Sequence, residues 1–190
     1  MRAVGSLRSD RLALRRLDER DAAFVESLYA DARVTRTLLR IQAPISRAQA
    51  LDFCRAAGGG GDHRFGAALA SDGRLIALGT VRQGAERPDV ATIGYSILPA
   101  LWGQGLGTEL ASLLVELARE TLGVGEVRAT TLDDHAASAR ILEKIGFQIV
   151  ETGVAEIDSR GDERRVTRWC LRAPSRPCPP PRGSRWCSPA

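Results

Sequence analysis

Trp102-Gly103-Gln104-Gly105-Leu106-Gly107-Thr108 is the stretch of this chain whose residue types and spacing can do chemistry. Three glycines at alternate positions open backbone angles closed to other residues and leave no side chain over the amides. Several N–H groups can then face one anion where a helix begins. The donors that a helix start leaves unpaired are the amides of Gln104, Gly105, Leu106, Gly107 and Thr108. Such a row suits a pyrophosphate. Charge-assisted hydrogen bonds contribute about 1.5 to 3 kcal/mol each, against about 0.3 to 1 kcal/mol from a helix dipole at an exposed site. The loop amides, more than the dipole, should decide affinity.

The loop needs a strand before it and a helix after it. Residues 90–98 read as the strand, closed by Pro99, which cannot donate to a ladder. Beyond the loop, Leu110, Leu113, Leu114, Leu117 and Ala118 trace the stripe of a helix packed on a sheet, with Gly123 at its end. Upstream, residues 11–17 alternate as a strand, and Asp18 opens a helix carrying Phe24, Val25 and Leu28, with Asp21 in its first turn. A second helix starts at the Ser46/Gln49 capping box and ends in the glycines of 58–61. Residues 65–70 and 75–82 form a hairpin about Asp72-Gly73, so a meander precedes the loop. Downstream come a strand, Glu126–Leu132, and a helix capped by Asp134, carrying Ile141, Leu142 and Ile145 and stopped by Gly146. Residues 147–152 and 164–171 close the sheet.

The 190 residues and 44% hydrophobic content suit one globular domain. No run reaches the roughly 18 apolar residues of a membrane helix, and the N-terminal stretch lacks a signal-peptide core. A soluble cytoplasmic protein, monomer or homodimer, is expected. Cys54, Cys170, Cys178 and Cys187 form no CxxC pair, and with two histidines the chain lacks zinc-ligand spacing, so no metal is expected. Arg176, Arg182 and Arg185 supply most of the +4 charge from a segment without acids. Residues 1–173 carry about +1, which is no nucleic-acid footprint. Residues 174–190 hold six of the nine prolines and read as a disordered Pro/Arg-rich tail.

Two familiar phosphate-binding folds fail on spacing. A G-x-G-x-x-G reading from Gly103 puts Thr108 where the third glycine belongs, and no Gly-Lys-Ser or Gly-Lys-Thr follows the glycines. The meander before the loop also argues against both, because those folds place the phosphate turn after an early parallel strand.

Residues 102–107 instead resemble the acetyl-CoA motif of the GNAT N-acetyltransferases: Arg or Gln, two residues, Gly, one residue, then Gly or Ala. Trp102 in the first position, the preceding Ile93-Gly94-Tyr95 and Leu98-Pro99, and the run from Ala137 to Phe147 resemble the branch containing ribosomal-protein N-terminal acetyltransferases. The resemblance covers residues 10–173. It implies an α/β (α+β) fold, with a mixed, mostly antiparallel sheet of about six to seven strands flanked by about four helices.

The resemblance also implies acetyl-CoA as co-substrate and a primary amine, on a small molecule or a peptide N-terminus, as acceptor. In the family the strand before the loop splays from its parallel neighbour and offers backbone to the pantetheine arm, here from Ile97 and Leu98. A backbone N–H near Leu98 would stabilise the oxyanion. Ser138 matches a serine proposed to protonate the leaving thiolate, although a first-turn hydroxyl bonding to backbone explains it equally well. His135 stands where relatives usually carry an Asn that contacts the cofactor arm, and can hydrogen-bond there or act as a base. The tyrosine that many relatives place later in this helix falls at Leu142, so tyrosine acid catalysis is not expected. Thr92 occupies a place where relatives often carry Glu. Asp133 and Asp134 are alternatives, and no base is assigned. Arg140 and Lys144 would meet the 3′-phosphate of CoA.

Two other classes remain open in the sequence: a noncatalytic acyl-CoA-binding module, consistent with Thr92 and His135, and a nucleotide-phosphate-binding protein without CoA. Acceptor choice would lie in residues 35–44, 58–63 and 159–163, loops without diagnostic chemistry.

Overall fold

Leu12 and Leu14 alternate with less buried neighbours and bury one face of β1 (Leu12–Arg16). The structure is a computed structural model that describes residues 7–39, 41, 44–57, 61–157, 162–172 and 182–183. Asp18 does not open an α-helix directly. The Asp18 carboxylate accepts from the Arg20 amide, and the Asp21 carboxylate accepts from the Asp18 amide, which closes a capping box over the 3-10 turn Glu19–Asp21. Helix α1 (Ala22–Ala30) follows. Asp21, expected in the first turn of the helix, lies in this 3-10 turn. It is buried and held by both terminal nitrogens of Arg15 at 2.6 and 2.7 Å, because a charge leaves water only when it is paired.

A one-turn helix α2 (Ala32–Thr35), capped by Asp31, has no counterpart in the sequence reading, since four residues carry no measurable periodicity. Helix α3 (Arg47–Arg55) begins at Ser46 with the expected reciprocal Ser46/Gln49 box. Strands β2 (Asp62–Leu69) and β3 (Leu75–Gln83) form the hairpin, with Gly73 at φ +72°, and β4 (Val90–Ile97) extends the meander. Helix α4 (Leu106–Glu116) buries the expected stripe and continues into a π-helical turn, Leu117–Thr121. Then come β5 (Glu126–Leu132), α5 (Ala136–Lys144), β6 (Gln148–Ile157), β7 (Asp162–Arg172) and β8 (Arg182–Gly183).

One sheet results, in the order β1-β2-β3-β4-β5-β7-β6-β8, antiparallel except at β4–β5 and at β6–β8. The mixed, mostly antiparallel architecture matches the expectation. Within the residues expected as a tail, Arg182 and Gly183 pair in parallel with Glu151 and Thr152, because β6 is otherwise an open edge whose backbone groups seek partners. The other residues from 173 onward, and residues 58–60 at the end of the second expected helix, lie outside the described residues.

Two apolar clusters flank the sheet. One unites α4 and α5 with Ile93 and Ile97, and the other unites α1, α2 and α3 with Leu78. A third, smaller cluster brings Leu39, after α2, onto Leu132 of β5 and Val166 of β7. The segment directly after α2 thereby reaches the end of β5. No helix among the described residues is long and apolar enough to cross a membrane.

Candidate active site

Strands β4 and β5 pair only from Val90↔Glu126 to Thr92↔Arg128. Beyond that point β4 stays on β3 through Ile97, and β5 stays on β7 through Leu132. The two parallel strands therefore open into a gap whose walls are backbone. The glycine loop lies at the end of β4, at the mouth of this gap.

Within the loop, Gly103 and Gly105 adopt φ of +77° and +79°, the left-handed region that only glycine enters without strain. Gly105 is the N-cap of α4 and has no side-chain cap. The amides of Gln104, Gly105, Leu106 and Gly107 donate to no acceptor among the described residues. Thr108 departs from the expectation. Its amide already donates to the Gly105 carbonyl at 3.1 Å, because the helix tightens at its first turn. Gly107 has a packing reason: a Cβ there would lie 2.6 Å from Ile141 Cδ1, so glycine lets α5 close against α4. Four unspent amides in a turn with glycines at positive φ fit an anion of pyrophosphate type.

A clamp that the sequence did not disclose holds this loop. Arg11 donates from Nη1 to the Gln104 carbonyl at 2.9 Å and from Nε to Glu109 Oε2 at 2.8 Å. Glu109 also accepts from Ser9 Oγ and from the Arg11 amide. Burial alone would raise the Glu109 carboxyl, but the hydrogen bonds from Ser9 and Arg11 outweigh it and hold the group below its ordinary range. The only prior signal was that Glu109 falls off the apolar stripe of its helix.

Leu98 requires a correction. Its N–H donates to the Ile76 carbonyl at 3.0 Å and so is already bonded within the sheet, not free for an oxyanion or a pantetheine arm. In an antiparallel pair, residues bonded to the neighbour alternate with residues that turn their N–H and C=O the other way. With Leu98 turned toward β3, Tyr95 and Ile97 turn theirs toward the gap. The Ile97 carbonyl accepts from Trp102 Nε1 at 2.9 Å, which leaves its N–H facing the opening. Trp102 thus ties the loop to the strand.

Across the gap, α5 begins after His135, which is its N-cap and caps with no side-chain bond. Asp134, expected as the cap, instead accepts from Arg164 Nη2 at 2.6 Å, because β7 brings an arginine within reach of it. Asp133 accepts from Arg165 Nε and Thr167 Oγ1, so both candidate acids are engaged in structural bonds. Ser138, buried, lies 3.0 Å from the hydroxyl of Tyr95 on β4. Burial pushes the Tyr95 phenol up to about 12, against the lowering effect of that bond. Leu142 is fully buried in the core, as a leucine should be, and the tyrosine of this site comes from β4 instead of α5. Tyr95 stood in the Ile93-Gly94-Tyr95 signature, but only register told which face it serves. Arg140 and Lys144 are exposed on α5 and form no ion pair among the described residues.

His135 also lines an open polar recess of about 400 Å³ with Arg36, Thr37, Asp134 and Arg164. Burial lowers the imidazole below its ordinary value; Asp134 opposes this and Arg36 adds to it. The shift favours the neutral ring, which can accept a proton. Of the loops expected to govern acceptor choice, the one after α2 supplies Arg36 and Thr37, whereas residues 58–60 and 158–161 lie outside the described residues.

Residues 11–148 match the acetyltransferase (GNAT) domain family. An uncharacterized N-acetyltransferase, YoaA, of Bacillus subtilis (strain 168) is 30% identical over 147 residues, which cover 75% of this chain and 82% of that protein. Among solved structures, a GNAT-family acetyltransferase from Bacillus anthracis superposes with a TM-score of 0.78 at 16% identity, covering 88% of this chain and 98% of that one. A spermidine N-acetyltransferase from Vibrio cholerae, in complex with CoA and spermine, does so with a TM-score of 0.75 at 18% identity, covering 86% and 96%. At these identities the structural matches speak for the fold alone.

Proposed function

Because the chain belongs to the GNAT acetyltransferase family, we propose that it transfers an acetyl group from acetyl-CoA directly to a primary amine, on a small molecule or a peptide N-terminus. The observation that carries this reading is the row of four unspent amides at the mouth of the β4–β5 gap. When bound, acetyl-CoA supplies the thioester carbonyl that the amine attacks.

The amides of Gln104 through Gly107 would hold the pyrophosphate, with Arg140 and Lys144 toward the 3′-phosphate. The N–H of Ile97 and the backbone of Tyr95 would face the pantetheine arm as an added strand does. Neutral His135 would take the proton that the amine loses as the C–N bond forms. As the C–S bond breaks, the hydroxyls of Tyr95 and Ser138 would donate to the departing sulfur. A thiol ordinarily titrates near 8.5, whereas Tyr95 is pushed up to about 12. Tyr95 therefore stabilises the thiolate as a hydrogen-bond donor and keeps its proton.

Release of free thiol from acetyl-CoA, followed across a panel of amines and peptides, tests the reading. Turnover that Gly105→Glu abolishes without loss of fold supports it. Tight CoA binding with no turnover on any amine replaces it with a noncatalytic acyl-CoA-binding module. A larger rise in melting temperature with ATP or NAD than with acetyl-CoA removes CoA altogether.

A further inference from the structure

We propose that Arg36 binds an anionic group on the acceptor, and that the amine acetylated by this protein carries a carboxylate; the inference rests on the acetyl-transfer reading above. An exposed guanidinium alone is unremarkable, and here its setting decides. Among the described residues, the recess holds two guanidiniums and one carboxylate. Asp134 is committed to Arg164 at 2.6 Å, which neutralises that pair. Arg36 forms no ion pair among the described residues, so the recess keeps an excess positive charge beside the neutral ring of His135.

The place of the recess assigns it to the acceptor instead of to CoA. Arg36 follows α2, whose Val34 packs in the α1–α3 cluster, whereas the pyrophosphate loop begins α4 in the cluster on the other face. Leu39 holds the segment after α2 against Leu132, the last residue of β5, and Val166, its partner on β7. Arg36 is thus carried over the sheet toward His135, one helical turn before Ser138. An acceptor entering from this side would set its carboxylate on the fork of Arg36, whose geometry suits a carboxylate in two parallel bonds. Its amine would then face His135. A polyamine would meet the reverse: the one carboxylate among the described lining residues, Asp134, is held by Arg164, and each added cation would be repelled by Arg36.

Free α-, β- and γ-amino acids, their matching carboxamides and spermidine should be compared as acceptors for the wild type, Arg36→Gln and Arg36→Lys, with acetyl-CoA varied separately. The expected result is a carboxylate-over-amide preference in kcat/KM of about tenfold or more that collapses in Arg36→Gln, is partly kept in Arg36→Lys, and leaves the KM for acetyl-CoA in place. Equal use of amides, preference for spermidine, or a change confined to the acetyl-CoA KM overturns the assignment while leaving acetyl transfer intact. Absence of turnover on every amine would defeat the transfer reading instead. Calorimetric titration of the same amino acids into CoA-saturated protein then still decides the site: binding weakened about tenfold by Arg36→Gln upholds it, and unaltered or undetectable binding refutes it.

Discussion

The Tyr95 hydroxyl on β4 and the Ser138 hydroxyl on α5 lie 3.0 Å apart across the gap between the central strands. Two hydroxyls meeting there form a donor pair facing the position proposed for the departing sulfur. Removing the phenolic O–H should cost one hydrogen bond to a developing charge, about 1.5 to 3 kcal/mol. Tyr95→Phe is expected to lower kcat by about tenfold to a hundredfold with little change in the KM for acetyl-CoA. Ser138→Ala should act in the same direction. Steady-state kinetics with both substrates varied checks this, and a mutant that alters only KM would exclude the role.

The same phenol predicts an alkaline limit to stability. Burial raises Tyr95 from its ordinary value of about 10 up to about 12, and it raises Tyr29 as well. For a group whose folded value is raised, the stabilisation is complete below the unfolded value and is lost as pH rises through the folded one. Melting temperature should therefore fall from about pH 10 upward, less steeply in Tyr95→Phe. Thermal unfolding followed between pH 8 and pH 12 would show an unchanged slope in the mutant if Tyr95 has no such role.

Arg11 and Glu109 form an ion pair at 2.8 Å, with the arginine side chain half exposed. Its contribution to global stability should be small, about 0 to 1 kcal/mol, and screened by salt. Its effect on the loop should be larger, because Arg11 also holds the Gln104 carbonyl. Arg11→Ala is expected to raise the KM for acetyl-CoA severalfold with a near-normal melting temperature. Glu109 is held below its ordinary range, so its stabilisation is present above about pH 4.5 and is lost as pH falls through the folded value. CoA titrations at pH 7 and at pH 4 should differ more in the wild type than in Glu109→Gln.

Gly105 and Gly107 serve different ends and should fail differently. Gly105→Ala places a Cβ at φ +79°, at a cost of about 1 to 2 kcal/mol, and should weaken CoA binding along with stability. Gly107→Ala meets the flexible end of Ile141, so it should perturb the α4–α5 contact more than the amide row. Calorimetry with CoA, set beside melting curves, separates the two, and equal losses in both variants would contradict the distinction.

If His135 takes the amine proton, kcat/KM should rise with pH through a value below 6.5, the ordinary imidazole value. Among the described residues, the charges that face it are Asp134, Arg36 and Arg164. Removing the cation in Arg36→Gln should move that acid limb upward, and Asp134→Asn should move it downward. The stabilisation tied to the depressed value is present above 6.5 and is lost as pH falls through the folded value. An acid limb that ignores both substitutions would show that another group takes the proton.

The glycine loop, its strand and its helix were legible in the sequence because each depends on local rules. Left-handed angles select glycine at 103 and 105, and the unpaired donors at a helix start depend on nothing outside that turn. The apolar stripe of α4 and the Ser46/Gln49 cap are local in the same way. Family resemblance then added the donor class.

The use to which the residues are put was decided only by tertiary structure. The N–H of Leu98 turned out to be bonded to Ile76, because backbone groups alternate along a strand and a shift of one residue exchanges inward for outward. Asp134 left its helix for Arg164, Arg11 reached the loop from the first strand, Tyr95 met Ser138, and Arg36 came over the sheet to His135. Each pairing joins residues far apart in the chain. Local propensity carries no information about such meetings, which arise from strand register and from the way the two apolar clusters pack on opposite faces of the sheet.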